Sequence, residues 1–332
     1  YTYGWKWTSS HYEDYGLTGW NYLFGYDNAQ MTRQTVVDYA GQDYLQPALS
    51  MLPPGEQYSI RLGNPRAGNT FPVEHAPNYQ HMDWHPQAED IYFEFTVTAD
   101  NPIVLFKYAA VLDRTTHPMT GKNQHAQPRI EVRVTDLSNT NLNTNALSFS
   151  KWGDTNLANN PEWQRFTRTS PSYYNNCYWK DWTTVGFDLS AYVGRTVRFR
   201  IENYECITYS PETIGFRYCG EHFGYVYFHM GCTEKKIEEE CLDGQQARLM
   251  APEGFSYRWY NQSYPSITLG SERTLLVPRA DGMTTYCCQL TAREGMTGSF
   301  ILRSTPKCAP SVTVHQSSLM EKHLPNRVFM NM

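Results

Sequence analysis

The chain has no cysteine before position 177, little charge, no basic excess and no long apolar run. Charged residues make up 18% of its 332 residues, against roughly 25% in an average globular protein. The formal net charge of -5 argues against a nucleic-acid binder that relies on a basic surface. No apolar stretch approaches the ~18 residues of a membrane-spanning helix. Tyr1 opens no signal peptide, which reads as a mature or trimmed product. Without a Cys-x-x-Cys pair, zinc ribbons and thioredoxin-like sites lack support. Gly-x-Ser-x-Gly and His-Glu-x-x-His are missing, as is an Asp-x-Asp-x-Asp-Gly calcium loop. The chain therefore reads as non-catalytic.

What is abundant is aromatic and alternating. Aromatics reach 15%, including 25 Tyr, and hydrophobic residues 40%. In IYFEFTVTA, Ile91, Phe93, Phe95 and Val97 share one face of an extended chain, and Tyr92, Glu94, Thr96 and Thr98 share the other. RIEVRV (129–134) and TVRFRIENY (196–204) repeat the period of two, each reading as a strand with one buried and one wet face. IVLFKYAAVL and FGYVYFHMGC are apolar on both faces and read as central strands, although periodicity alone leaves a buried helix open for the first. Pro-, Gly- and Asn-rich stretches separate these runs, and 3.6-residue periods are absent. The length suggests two domains. The pattern predicts an all-β protein whose first domain, 1–233, is a jelly-roll β-sandwich.

The charged segment CTEKKIEEEC (232–241) reads as a solvated connector. Beyond it, QARLMA, FSYRWY, RTLLVP, TTYCCQL and GSFILRS are closely spaced strand candidates. That rhythm predicts a smaller Ig-like sandwich over 234–310, followed by a tail or linker at 311–332. Trp259 takes the place of a core tryptophan, and Tyr286 stands two residues before Cys288, as in a tyrosine corner. Cys287 and Cys288 point to opposite sides of a regular strand. Cys288, facing the core, is expected to pair with Cys241, and Cys287 with Cys308. An even count of 8 cysteines suggests disulfides and an oxidising compartment.

Four phrases together carry a resemblance: YSIRLGN (58–64), EDIYFEFTVTADNPIVLFKYAAVLD (89–113), WKDWTTVGFDLSAYVGRTVRFRIENYEC (179–206) and CGEHFGYVYFHMGC (219–232). They resemble a jelly-roll module of large exported Bacteroidetes surface proteins, which carry gliding-motility or adhesin labels and leave by the type IX secretion system. CLDGQQARLMAPEGFSYRWY (241–260) looks like the Ig-like or polycystin-type repeat that follows it. More distantly, the module is similar to MAM-type and galactose-binding-like jelly rolls, and YEDYGLTGW (12–20) resembles their opening strand. The resemblance implies an extracellular or cell-surface location. It also implies a calcium site on the opening and closing strands, although His229 stands where related modules carry an acid. Two stretches, 66–87 and 207–218, are longer than the resemblance predicts. Cys206 and Cys219 bracket the second, so a disulfide there would leave Cys177 with Cys232, one of three pairings open to these four.

Long loops on a rigid sandwich are where binding specificity resides. Tyr79, Trp84 and His85 in the first, and Tyr209 in the second, are the candidate ligand-binding residues. His75, His81, Asp83 and His85, with Glu89 and Asp90, form the most zinc-like cluster, though the spacing matches no specific motif. A structural calcium held by Glu13, Asp14 and Asp188 is the ion expected at a sandwich edge; no other cofactor is implied. Glu202, Glu205 and Glu221 are the carboxylates best placed for glycosidase chemistry, which needs two acids facing across a groove. The expected partners are glycans or other cell-surface and secretion-system proteins, in adhesion or as part of a surface assembly.

Overall fold

The structure, a computed structural model, describes residues 34–43, 45–63, 88–114, 127–138, 147–153, 157–169, 174–205, 209–210, 217–218, 222–242, 246–278 and 280–308. Among them are strands and short 3-10 turns but no α-helix. In chain order the larger part contributes β1 (Gln34–Val37), β2 (Ser59–Gly63), β3 (Ala88–Thr96), β4 (Ile103–Asp113), β5 (Arg129–Asp136) and β6 (Phe149–Trp152). It continues with β7 (Gln164–Thr169), β8 (Tyr174–Asp188), β9 (Thr196–Tyr204), the short pair β10 (Tyr209–Ser210) and β11 (Arg217–Tyr218), and β12 (Gly224–Thr233). A six-stranded sheet runs β1-β2-β12-β4-β8-β7 and a four-stranded sheet β3-β9-β5-β6. Both are antiparallel throughout.

Alternation decides which faces meet. Ile91 and Phe93 of β3, Phe199 and Ile201 of β9, and Val132 and Val134 of β5 point into one core with Phe106, Phe187 and Phe228 of the larger sheet. Phe106 is fully buried, with ring centroids 5.7 Å from Phe199 and 5.9 Å from Phe228. Burying such a ring is worth about 2–3 kcal/mol by area transfer. The doubly apolar runs are β4 and β12, adjacent strands inside the six-stranded sheet. Their second face needs its own cover, and residues 38–43 and 45–58 supply it. Leu45, Leu49, Met51 and Leu52 pack on Val111, Trp179, Tyr225 and Tyr227. Asp43, buried there, accepts the hydroxyls of Tyr225 at 2.7 Å and Tyr227 at 2.9 Å. It also accepts the backbone N–H groups of Leu45 and Gln46.

The smaller part holds β13 (Glu238–Cys241), β14 (Ala247–Met250), β15 (Ser256–Asn261), β16 (Thr274–Val277), β17 (Tyr286–Thr291) and β18 (Ser299–Ser304). They form two three-stranded antiparallel sheets, β13-β14-β16 and β15-β17-β18. Trp259, Leu249, Val277, Cys288 and Leu290 share the core of this part. All five sequence-read strands are present. The expected solvated connector is corrected in part: Glu238–Cys241 is an edge strand on β14 with all four residues exposed. Consecutive glutamates hide any alternation, and charge on an edge strand discourages pairing with other chains.

The cysteine pairings are also corrected. Cys241 is bonded to Cys308, not Cys288. Cys288 lies in register with Trp259, whose indole fills the core there, whereas Cys241 lies on the far sheet opposite Ala247. The Cys308 N–H donates to the Ala280 carbonyl, and its sulfur lies 3.6 Å from the carbonyl of Gln246, beside Ala247. Cys287 cannot meet Cys308; it is buried, flanked in register by Tyr260 and Arg303. Cys177 pairs in register with Asp113 and Cys232 with Val104, nine positions apart on β4. At about 3.4 Å per residue that is about 30 Å, far beyond disulfide reach. Cys206 and Cys219 lie outside the described residues.

The two parts interlock. Ile103 and Leu105 of β4 join the smaller core, while Ala292 and Met296 join the larger one. Phe255 packs directly on Gly186, where an added Cβ would lie 2.2 Å from the ring. The Gly186 N–H donates to the Gly254 carbonyl at 2.9 Å, and Thr184 donates to Glu253 at 2.9 Å.

Candidate functional site

The register brings the strand ends that flank the two long loops to one place. Gly63 ends β2 opposite Tyr225 of β12, and Ala88 begins β3 opposite Tyr204 of β9. Segment 64–87 therefore leads from the six-stranded to the four-stranded sheet between strands that neighbour those joined, in the opposite direction, by segment 205–223. β4 ends and β5 begins at this rim too, with Asp113 and Arg129 both fully buried.

Asn203 fixes the base of both loops. It is buried on the inner face of β9, and its Nδ2 donates to Glu89 Oε2 of β3 at 3.0 Å and to the Gly224 carbonyl of β12 at 2.8 Å. One side chain thus binds the smaller sheet to the larger. Gly63 stands against it with φ of 79°, a left-handed conformation that glycine tolerates. A Cβ there would lie 2.4 Å from both Asn203 Nδ2 and the Gly224 carbonyl.

The outer face of the four-stranded sheet carries a charged row beside the same strand ends. Tyr204, Arg129 and Trp152 lie in one cross-strand row, and Asp90, Glu202 and Glu131 in the next. The Arg129 guanidinium lies 3.8 Å from the Tyr204 ring centroid and 4.8 Å from that of Trp152, a desolvated cation–π arrangement. Its Nε donates to Glu131 at 2.6 Å. Arg133 bridges Glu131 and Glu202, and Arg200 donates to Asp90 at 2.9 Å. Burial pushes the Glu131 carboxyl up, but Arg129 and Arg133 together hold it below the usual range. For Glu202 burial outweighs the arginines, and its carboxyl is raised. Tyr204 donates to Glu202 at 2.7 Å, and burial beside that carboxylate raises the phenol. The three acids stand side by side on one face, each against an arginine. Glycoside hydrolysis asks instead for two acids facing across a groove. The arrangement makes a rigid, charge-balanced sheet face.

Other sequence-derived candidates fall as follows. Tyr79, Trp84, His85, His75, His81, Asp83, Glu13, Asp14 and Glu221 lie outside the described residues. Tyr209 begins β10, paired with Tyr218 of β11. Glu89 and Asp90 are neighbours on β3 and face opposite sides, Glu89 to Asn203 and Asp90 to Arg200. Asp188 is engaged by Lys235 Nζ at 2.6 Å and by the backbone N–H and hydroxyl of Ser190. His229 faces Glu56, with Nε2 3.3 Å from its carboxylate. Among the described residues no group of three or more His, Cys, Asp and Glu is arranged to hold a metal.

Sequence reasoning missed Asn203 and the depth of Arg129. The alternation of RIEVRV places Arg129, Glu131 and Arg133 on one face, but it cannot tell a wet face from a covered one. A second feature was also missed: an apolar opening of about 420 Å3 at the other end of the sandwich, lined by Ile60, Phe93, Phe95, Val104, Phe228 and Met230. No known protein-family model matches the chain, and no curated protein matches it.

Proposed function

We propose that the chain is a non-catalytic, exported cell-surface protein that captures a glycan or protein partner at the rim above Asn203. One observation carries this reading. Two long loops spring from adjacent strand ends that Asn203 ties together, the arrangement by which sandwich scaffolds present specificity loops. Tyr79, Trp84, His85 and Tyr209 lie in those loops, and their rings offer contact area with polar tips. The resemblance to exported surface modules, jelly roll then Ig-like repeat, supports the location, and the Cys241–Cys308 disulfide fits an oxidising compartment. The test is a glycan array with the whole chain, repeated with Trp84→Ala. Selective binding lost in the variant supports the reading.

A second reading, a structural spacer in a larger surface assembly, is favoured by the interlocked cores, which make the two parts stiff. No glycan bound on the array, with stoichiometric recovery in a cell-surface complex, selects the spacer.

A further inference from the structure

The lateral end of the larger sandwich, between β6 and β8, is closed by a residue of the smaller part. Lys180 of β8 and Lys151 of β6 point into this end, their side chains 2% and 14% exposed. Tyr108, fully buried, has its ring 5.4 Å from Lys180 Nζ. Among the described residues the larger part supplies one acid here, Glu162, 2.6 Å from Lys180 but 43% exposed. Among the described residues of the larger part, Lys180 thus has a half-solvated carboxylate beside it and Lys151 has no ion pair with an acid of that part. The missing charge comes from Glu294. Its side chain is 2% exposed and bonds both Lys180 and Lys151, the latter at 2.6 Å. Arg293 beside it pairs with Glu162 at 2.8 Å, and Met296 enters the larger core.

The backbone is bent to make this reach. Glu294 has φ of 59°, a left-handed conformation and the one non-glycine case among the described residues. Such a conformation is strained for a residue with a Cβ and persists where surrounding contacts over-determine it. A surface turn without a task at this position would carry Gly or Asn.

We propose that Tyr108, Lys151 and Lys180 form a carboxylate-binding pocket in the larger sandwich, and that Glu294 of the smaller part is its built-in ligand. The pocket recognises a carboxylate by two converging ammonium donors and seats the following apolar side chain in the core. It is independent of the rim and of the role assigned there.

Chemical rescue in the full chain tests this. Glu294→Gly removes the carboxylate and relieves the left-handed backbone, so loss of strain works against the expected loss of stability. The thermal midpoint is expected to fall by roughly 10 °C. Acetate is then expected to raise it again along a saturable curve, whereas chloride at matched ionic strength is not, and wild type is to respond equally to both salts. If the variant does not fold in buffer, refolding from urea in acetate against chloride is the readout, with acetate-dependent recovery expected. Lys180→Met in the Glu294→Gly background is expected to abolish the acetate effect. A midpoint equal to wild type, or no difference between acetate and chloride in either format, overturns the proposal.

Discussion

Asn203 donates one hydrogen bond across the sandwich to the carbonyl of Gly224, and so holds the ends of both long loops to the same point. A second bond from the same nitrogen reaches Glu89. Replacing it by Ala leaves a buried carboxylate and a buried carbonyl short of a donor. Asn203→Ala is expected to cost about 2–3 kcal/mol, read as a fall in the urea midpoint with unchanged slope. Partner capture at the rim should fall with it.

Gly63 should tolerate no side chain. Its φ of 79° and the 2.4 Å approach of a built Cβ to Asn203 and Gly224 act together. Gly63→Ala is expected to destabilise by more than about 2 kcal/mol. Gly55 has φ of 82° but open space around it, so Gly55→Ala should cost only about 1 kcal/mol. Equal effects in paired urea titrations would refute the steric argument.

The two outer-face glutamates should respond oppositely. The Glu131 carboxyl is depressed in the folded state, so its contribution is present above the unfolded pKa, about 4.3, and is lost as pH falls through the folded value. Glu202 is raised, so its contribution is present below the unfolded value and lost as pH rises through the folded one. At pH 7, Glu131→Gln should cost about 2–4 kcal/mol, because Arg129 is left buried beside a neutral group. It should also weaken the acid limb of the stability curve. Glu202→Gln should be near neutral or stabilising at pH 7. Urea midpoints from pH 3 to 8 check both.

The disulfide map gives a direct chemical check. Cys241 and Cys308 are 67 residues apart. Closing a loop of that size is worth about 4 kcal/mol in the chain-entropy view. Non-reducing peptide mapping should find this pair, and Cys232, Cys287 and Cys288 should alkylate on unfolding without reductant. Cys241→Ser and Cys308→Ser should destabilise equally, since each removes the same bond.

Much of the fold was legible because strand alternation is a local signal. Ile91, Phe93, Val132, Phe199 and Ile201 declare their buried face without knowledge of their partners. Trp259 and the strands around it were readable for the same reason. Glu238–Cys241 was not, because a strand of charged residues on an edge has no apolar face to announce it. Disulfide partners depend on which strands share a sheet, and the choice of Cys308 over Cys288 is set by Trp259 filling the core. The candidate rim was half legible: loop length marked where it lies, but Asn203 gives no sign in sequence that it joins two sheets. Glu294 looked like any loop acid, since the lysines it meets are more than a hundred positions earlier.

The central claim is that the loop-bearing rim captures the partner. Isothermal titration of the whole chain with a glycan selected on the array, alongside Trp84→Ala and Asn203→Ala, tests it most directly. The account predicts saturable binding by wild type and at least a tenfold loss in Trp84→Ala with an unchanged unfolding midpoint. Asn203→Ala should lose both affinity and stability. Undiminished binding by Trp84→Ala, or no saturable binding by wild type, would contradict it.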